Sequence, residues 1–319
     1  MIDNFIFSAN AVFPIFLVIT FGYFLRRTDF LSSGTVTEMN RLVFTFALPL
    51  LLFRNIYQAD FGMLFDPGFI FWLVGSIVIV FVLIWGFAEV FLRKRKDLIG
   101  AFVQASIRAN YAIVGLPLVS NIMGEYDTGL AALAAAFVVT SFNVLSVIVL
   151  VARGSQSGKF DLAFVKNIVL SVCKNPSIIA IAIAVAVNLL NIPVPVIAQA
   201  GINYIAVLCT PMALLAVGGS IQLSAMMGYV RPALAASAIR IIVVPLLMVS
   251  SSALMGFRGE PLAVIFAVSA NPTAIVSYVM AARMNGNTEV TAAIILTTTA
   301  FSSVTLTVGV YILRTLALI

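Results

Sequence analysis

The chain has 319 residues, 62% of them hydrophobic and 9% charged, with a mean hydropathy of +1.14 and a formal net charge of +6. Soluble globular domains carry nearer a quarter charged residues, so the composition excludes a soluble globule and defines a membrane protein. Histidine is absent, Cys173 and Cys209 are the two cysteines, and no Cys-x-x-Cys occurs, which leaves almost nothing from which to build a metal site or a histidine relay.

Apolar runs long enough for a bilayer crossing, about 20 residues, follow one another along the chain. The first is Phe5 to Leu25. No Lys or Arg precedes Arg26, so this run lacks the basic flank of a signal peptide and belongs to the fold. The second covers Arg41 to Tyr57, with a start as early as Glu38, and the third Gly68 to Leu92. The fourth, Leu98 to Met123, contains Gly115 and Pro117. Glycine weakens a helix, and proline removes a donor and clashes with the carbonyl four residues back, so this segment is predicted to break there, with Pro117 opening its second half. The fifth runs from Thr128 to Ala152. A polar linker, Arg153 to Asn167, then divides the chain into halves of residues 1–152 and 168–319. The sixth to eighth crossings are Pro176 to Leu190, Ala198 to Leu223 and Pro232 to Gly256. The ninth, Pro261 to Arg283, is interrupted at Asn271-Pro272, which reads as N-cap then first helical residue, and the tenth is Thr288 to Leu313. Both cysteines sit in or beside apolar runs and read as small buried hydrophobes.

The two interrupted segments share Ala-Ile-Val, at Ala112 to Val114 and Ala274 to Val276, an offset of 162 residues (274 − 112). The same offset carries Pro14 onto Pro176, Pro49 onto Pro211 and Gly124 onto Gly286, which together indicate an internal duplication. Five spans per copy is an odd number, so the second copy enters the membrane reversed and the halves are inverted repeats. In secondary transporters such halves meet near the midplane, where discontinuous helices form the substrate site.

Lysine and arginine set the orientation, because loops rich in them stay cytoplasmic. Arg26, Arg27, Arg93, Lys94, Arg95, Lys96, Arg153, Lys159, Lys166 and Lys174 follow crossings one, three and five, while Asp60, Asp66, Glu125 and Asp127 mark the other side. Both termini are therefore expected outside, and the positive charge is topogenic, with a role in holding anionic lipid compatible with it. Nucleic acid is not an expected partner.

All twelve acidic residues fall in loops or at helix ends, Glu89 coming nearest to an exception. Arg108, by contrast, lies ten residues into the fourth crossing, about 15 Å deep at 1.5 Å per residue, and Arg240 is similarly deep in the eighth. A buried cation needs neutralisation, and two half-helix N-termini, each worth about half a positive charge, add to it. That is an anion site. Two roles are open to Arg108: facing a ligand, or securing the broken backbone. Arg240 reads as a brace, or as lining the cytoplasmic path, rather than as a substrate contact. Asn110 beside Tyr111 suits either the freed backbone or a ligand, and Asn143 on the fifth crossing is a further, weaker candidate.

The residues Asn110-Tyr111-Ala112-Ile113-Val114-Gly115-Leu116-Pro117 resemble the fourth-helix motif of the auxin efflux carriers, a family that includes plant PIN proteins and bacterial malate and malonate permeases. Leu42 to Phe53 is similar to that family's second helix and Pro211 to Gly218 to its seventh. Arg240 with Pro245 fits the eighth, and Asn271-Pro272 stands where the ninth crosses over. The resemblance implies an all-α, NhaA-like fold of ten transmembrane helices in which broken helices 4 and 9 cross. Helices 1, 2, 6 and 7 would form a scaffold and helices 3–5 and 8–10 a moving core, often in a homodimer. The linker is short beside that of the plant proteins, which points to a bacterial permease in the cell membrane.

The expected function is a carrier of small organic anions, dicarboxylates or auxin-like carboxylates, working by sliding of the core against the scaffold. Asn110, Tyr111, Gly115, Pro117, Asn271, Pro272 and Thr273 are the expected crossover residues, with Arg108 and Arg240 as supporting charge. No Asp, Glu or His stands at the centre to relay a proton. No cofactor is expected, although sodium held by carbonyls and hydroxyls such as that of Thr273 would serve for coupled import. A sodium-coupled symporter of the bile-acid type and a membrane sensor that moves nothing are the alternatives. An enzyme is not expected, since paired intramembrane aspartates are missing as well as histidine.

Overall fold

The computed structural model describes residues 2–58, 66–124, 128–153, 170, 174–221 and 228–319. Most of the linker, including Lys159 and Lys166, lies outside the described residues, as do Cys173, Asp60, Glu125 and Asp127.

Helix α1 is Ile2–Arg27. One stripe of it, Ala11, Val12, Ile15, Ile19 and Gly22, is buried, while Phe13, Leu17, Phe21 and Phe24 at helical spacing are exposed, as a lipid-facing surface requires. The second crossing begins earlier than its apolar run, because Ser32 caps α2 (Ser33–Leu42) by accepting from the Thr35 amide. It continues through a π-helical turn, Val43–Ala47, into α3 (Leu48–Gln58). Asp66 caps α4 (Pro67–Phe91). The fourth segment comprises α5 (Ile99–Ile107), a π turn at Tyr111–Gly115, and α6 (Leu116–Met123). Then come α7 (Gly129–Arg153), α8 (Pro176–Leu189) and α9 (Val196–Gly219). Helices α10 (Val230–Ala238) and α11 (Val244–Leu254) flank a third π turn, Ile239–Val243. The ninth segment is α12 (Gly259–Ala270) and α13 (Val276–Arg283), and α14 is Thr288–Thr315.

Among the described residues seven continuous helices are long and apolar enough to cross a membrane: Ile2–Arg27, Ser33–Gln58, Pro67–Phe91, Gly129–Arg153, Val196–Gly219, Val230–Leu254 and Thr288–Thr315. Tyr111–Met123, Pro176–Leu189 and Gly259–Ala270 are shorter apolar helices. The 162-residue offset recurs in the helix boundaries. Subtracting it from Val196–Gly219 gives 34–57, against Ser33–Gln58, and from Val230–Leu254 gives 68–92, against Pro67–Phe91.

The three π turns share a cause. Each ends two residues before a proline: Ala47 before Pro49, Gly115 before Pro117, Val243 before Pro245. Proline cannot donate to the carbonyl four residues back and its ring collides with it, and a locally wider turn relieves both problems. Pro117 therefore widens its helix rather than starting it. The expected break at Gly115 and Pro117 is corrected: the chain leaves the helix at Arg108, which has extended dihedrals (φ −80°, ψ 97°), and re-enters at Tyr111. Pro14 and Pro211 are carried inside α1 and α9 without such a turn.

Two sets of helices pack among themselves, and α1 joins them by lying along α14 of the second set as well as along α9 of the first. In one, α1 lies along α9, α3 along α8 and α9. Gly218 makes the α1–α9 approach close, since a Cβ there would run into the Ile19 carbonyl. Without a hydrophobic force between helices in lipid, such contact between small residues is what holds them. In the other group α5 packs on α4, α7 and α14, α12 on α11, and α10 on α14.

Candidate functional site

The two interrupted segments meet directly. Ala109 and Thr273 form an isolated antiparallel bridge in which the Asn110 amide donates to the Pro272 carbonyl at 2.8 Å and the Ala274 amide to the Arg108 carbonyl at 3.0 Å. Each break thus satisfies the backbone groups that the other exposes, the condition for irregular backbone inside a membrane protein. The expected capping pattern at Asn271-Pro272 is corrected in the same place. Asn271 terminates α12 with extended dihedrals (φ −66°, ψ 152°), Pro272 lies in the extended crossing, and α13 begins only at Val276.

Arg240 is the side chain behind the crossing. It is 1% exposed, and its guanidinium donates to the carbonyls of Asn271 (2.9 Å, Nε), Ile107 (3.2 Å, Nη1) and Val268 (2.6 Å, Nη2). These carbonyls are the orphaned C-terminal ends of α5 and α12, each carrying about half a negative charge. One guanidinium offsets both, so the charge left at the crossing is that of the N-terminal ends of the following helices and of Arg108. The bonds of Arg240 thus go to backbone carbonyls of two other helices, and it is not among the residues lining the cavity described next.

That cavity, of about 340 Å³, lies between the two packed groups. Its polar lining is Arg108, Asn110, Asn143, Asn175 and Ser177, and Phe44, Leu48, Leu52 and Phe142 form much of its apolar wall. Arg108, 7% exposed, donates to Asn143 Oδ1 at 2.7 Å, to Ser146 Oγ at 3.5 Å and to Met280 Sδ at 3.0 Å. Among the described residues the ion pairs are Arg26–Asp29, Arg41–Glu38, Arg95–Asp97 and Arg153–Glu89, so neither Arg108 nor Arg240 has a carboxylate partner there. Neutral partners orient a cation without quenching it, and a visiting anion completes its coordination.

The other expected residues fall into two sets. Asn110 lines the cavity, and its side chain makes no capping bond to the helix that follows. Tyr111 also borders it, but its phenol donates to the Ala131 carbonyl at 2.9 Å, tying the π turn to α7. Asn271, Pro272 and Thr273 are buried away from it. The Thr273 hydroxyl donates to the Ala105 carbonyl at 2.7 Å, and its amide to Thr298 Oγ1 at 3.1 Å. Gly115 gives Asn271 its space, since a Cβ there would lie 2.5 Å from both Asn271 Nδ2 and Tyr111 Cδ2. Pro117 is buried in α6. Asn175, Ser177 and Phe44 had not been singled out. The 162-residue pairing of Pro176 with Pro14 was the available signal for the first two.

A helical membrane protein with several long apolar helices, whose interrupted helices place on an internal cavity an arginine without a carboxylate partner among the described residues, has the make-up expected of a transporter. The profile of the "Membrane transport protein" family matches residues 7–162 and 161–310, and the chain belongs to that family, the auxin efflux carriers. A protein of Rhizobium meliloti named "Putative malonate transporter" is 29% identical over 318 residues, covering 96% of each chain. An "Uncharacterized transporter" of Methanothermobacter thermautotrophicus is 22% identical over 311 residues, 94% of this chain and 96% of its own. "Uncharacterized transporter YfdV" of Escherichia coli K12 is 25% identical over 291 residues, 88% and 89% respectively.

Proposed function

We propose that the protein is a carrier of small organic anions, dicarboxylates in particular, and that its substrate carboxylate binds Arg108, Asn110 and Asn143 in the 340 Å³ cavity. The observation that carries this reading is Arg108 itself, a buried guanidinium on the cavity wall oriented by Asn143 and without a carboxylate partner among the described residues. A malonate-sized acid fits the volume, and the name of the Rhizobium relative agrees with that choice.

Ten crossings in two inverted five-helix repeats, an NhaA-like arrangement, would result if the seven long helices and the short apolar ones all span. The group containing α1, α3, α8 and α9 would then be the scaffold, and the group around α5, α12 and α14 the core that slides, carrying Arg108 past the scaffold residues Phe44, Leu48 and Ser177. Both termini outside a bacterial cell membrane, and assembly as a homodimer, belong to the same proposal. The membrane potential supplies about 2.3 kcal/mol per charge per 100 mV and favours export of an anion from a negative interior.

Flux into proteoliposomes of labelled malonate, malate and indole acids tests the proposal. Saturable transport of at least one is expected, with Arg108→Ala and Asn110→Ala lowering it at least tenfold. Lack of saturable transport of every carboxylate, or undiminished flux in both variants, overturns it.

A further inference from the structure

In secondary transporters with interrupted helices, unwound carbonyls and half-helix C-terminal ends are the groups that commonly hold a coupling cation. Here those acceptors are taken. Arg240 reaches in from the π turn between α10 and α11 and donates to Ile107, Val268 and Asn271, carbonyls at the ends of two helices separated by 161 residues in sequence (268 − 107). The hydroxyl of Thr273, the side chain that sodium would have shared, is committed to the Ala105 carbonyl.

We infer that Arg240 is a tethered cation standing where a free coupling ion would bind at the crossing of the interrupted helices, so that transport by this carrier requires no sodium. The inference rests on the carrier reading above and extends it to the driving ion. A guanidinium is suited to the place because its planar fork of five donors can serve three carbonyls facing it from different directions, and it stays charged at every physiological pH. The residue is wholly enclosed, so its charge is neutralised by the helix ends and by nothing from solvent.

Four buried side chains nearby in sequence, Gln104, Ser106, Asn271 and Ser277, have polar atoms without a hydrogen-bond partner. Of these, Asn271 carries the guanidinium on its own carbonyl at 2.9 Å. A second cation coordinated by that residue would sit beside the first in a low-dielectric interior, where like charges repel strongly.

The test has one arm that needs flux and one that does not. In proteoliposomes held at a fixed potential, the initial rate of malonate uptake is expected to change less than twofold when sodium is replaced by potassium or by choline. Arg240→Ala is expected to fall at least tenfold and to recover several-fold with millimolar methylguanidinium, an ion that refills the vacated place. In detergent, the thermal midpoint of the unmodified protein is expected to be equal in sodium, potassium and choline at one ionic strength, and that of Arg240→Ala to be lower and to rise with methylguanidinium. A rate that collapses without sodium, or a midpoint raised specifically by sodium in the unmodified protein, overturns the inference even if Arg240→Ala does not fold. Lack of uptake of every carboxylate with the thermal pattern as expected would instead count against the carrier reading alone.

Discussion

The guanidinium of Arg108 donates to the amide oxygen of Asn143 at 2.7 Å, and both residues line one cavity. Asn143 therefore aims a positive charge that it does not cancel. Asn143→Ala removes a hydrogen bond to a charged group, worth about 1.5–3 kcal/mol, and is expected to raise KM for the transported acid about tenfold while changing the maximal rate less. Asn143→Asp is expected to raise KM further, because a carboxylate in that position pairs with Arg108 and repels the substrate. Concentration-dependent uptake into proteoliposomes separates the cases. An aspartate variant with the KM of the parent would show that the anion does not bind at Arg108.

Gly115 tests the crossing itself. A Cβ there meets Asn271 and Tyr111 at 2.5 Å, and neither can retreat easily, since Asn271 is fully buried and the Tyr111 phenol is fixed on Ala131. Gly115→Ala is expected to cost about 1–3 kcal/mol as an overpacked site and to reduce transport at least tenfold. Gly75→Ala in α4, where no atom lies within 4 Å of the added carbon, serves as the control and is expected to be neutral in both thermal midpoint and flux.

The fold was legible in the sequence to the extent that hydropathy and the proline register could carry it. The tenth apolar run, Thr288 to Leu313, lies within the helix Thr288–Thr315, and the 162-residue offset is matched by helix boundaries to within a residue in the second and third segments. The places of the breaks were not legible, because Pro117 signals a disturbance of the helix without saying which kind. A π turn and a helix start both answer a missing donor, and the choice was made by the antiparallel pairing of Ala109 with Thr273, which no local pattern contains. For the same reason no local pattern could show that the Thr273 hydroxyl holds the Ala105 carbonyl, or that Asn271 offers its own carbonyl to Arg240 while its side-chain amide is buried without a partner. Arg108 and Arg240 stood out equally as buried charges. Only the partners separate them, a cavity for one and three carbonyls for the other.

The cavity also fixes an expectation about pH. Its polar lining consists of an arginine, three asparagines and a serine, with the Tyr111 phenol hydrogen-bonded to Ala131, and none of these side chain types changes charge between pH 5.5 and 8. The maximal rate, measured with substrate saturating and the potential clamped, is expected to vary less than about twofold over that range. A sigmoidal loss with an apparent pKa inside it would reveal a titrating group in the transport step and would contradict this lining.

At one end of the molecule, three hydrogen-bond and cation–π contacts join the N-terminal half of α1 to α6 and α14, beside the packing of α1 along α14. Asn121 of α6 donates to the Ala11 carbonyl at 2.8 Å, Asn4 donates to Thr315 Oγ1 at 3.3 Å, and the Arg314 guanidinium sits 3.6 Å above the Phe7 ring. If α1 belongs to a stationary scaffold, these three contacts must part whenever the cavity becomes accessible from that end. An amide hydrogen bond contributes about 0.5–1.5 kcal/mol and an exposed cation–π pair about 0.5–1 kcal/mol. Losing one of each shifts a two-state equilibrium by about five- to seventyfold, within reach of a thiol assay. With Cys173 and Cys209 replaced by serine, Ala112→Cys on the cavity wall is expected to react with an impermeant maleimide, added on the Arg314 face, several-fold faster once Asn121→Leu and Arg314→Ala are combined. An unchanged labelling rate in a folded, membrane-inserted variant would show that these contacts do not hold the cavity shut on that face.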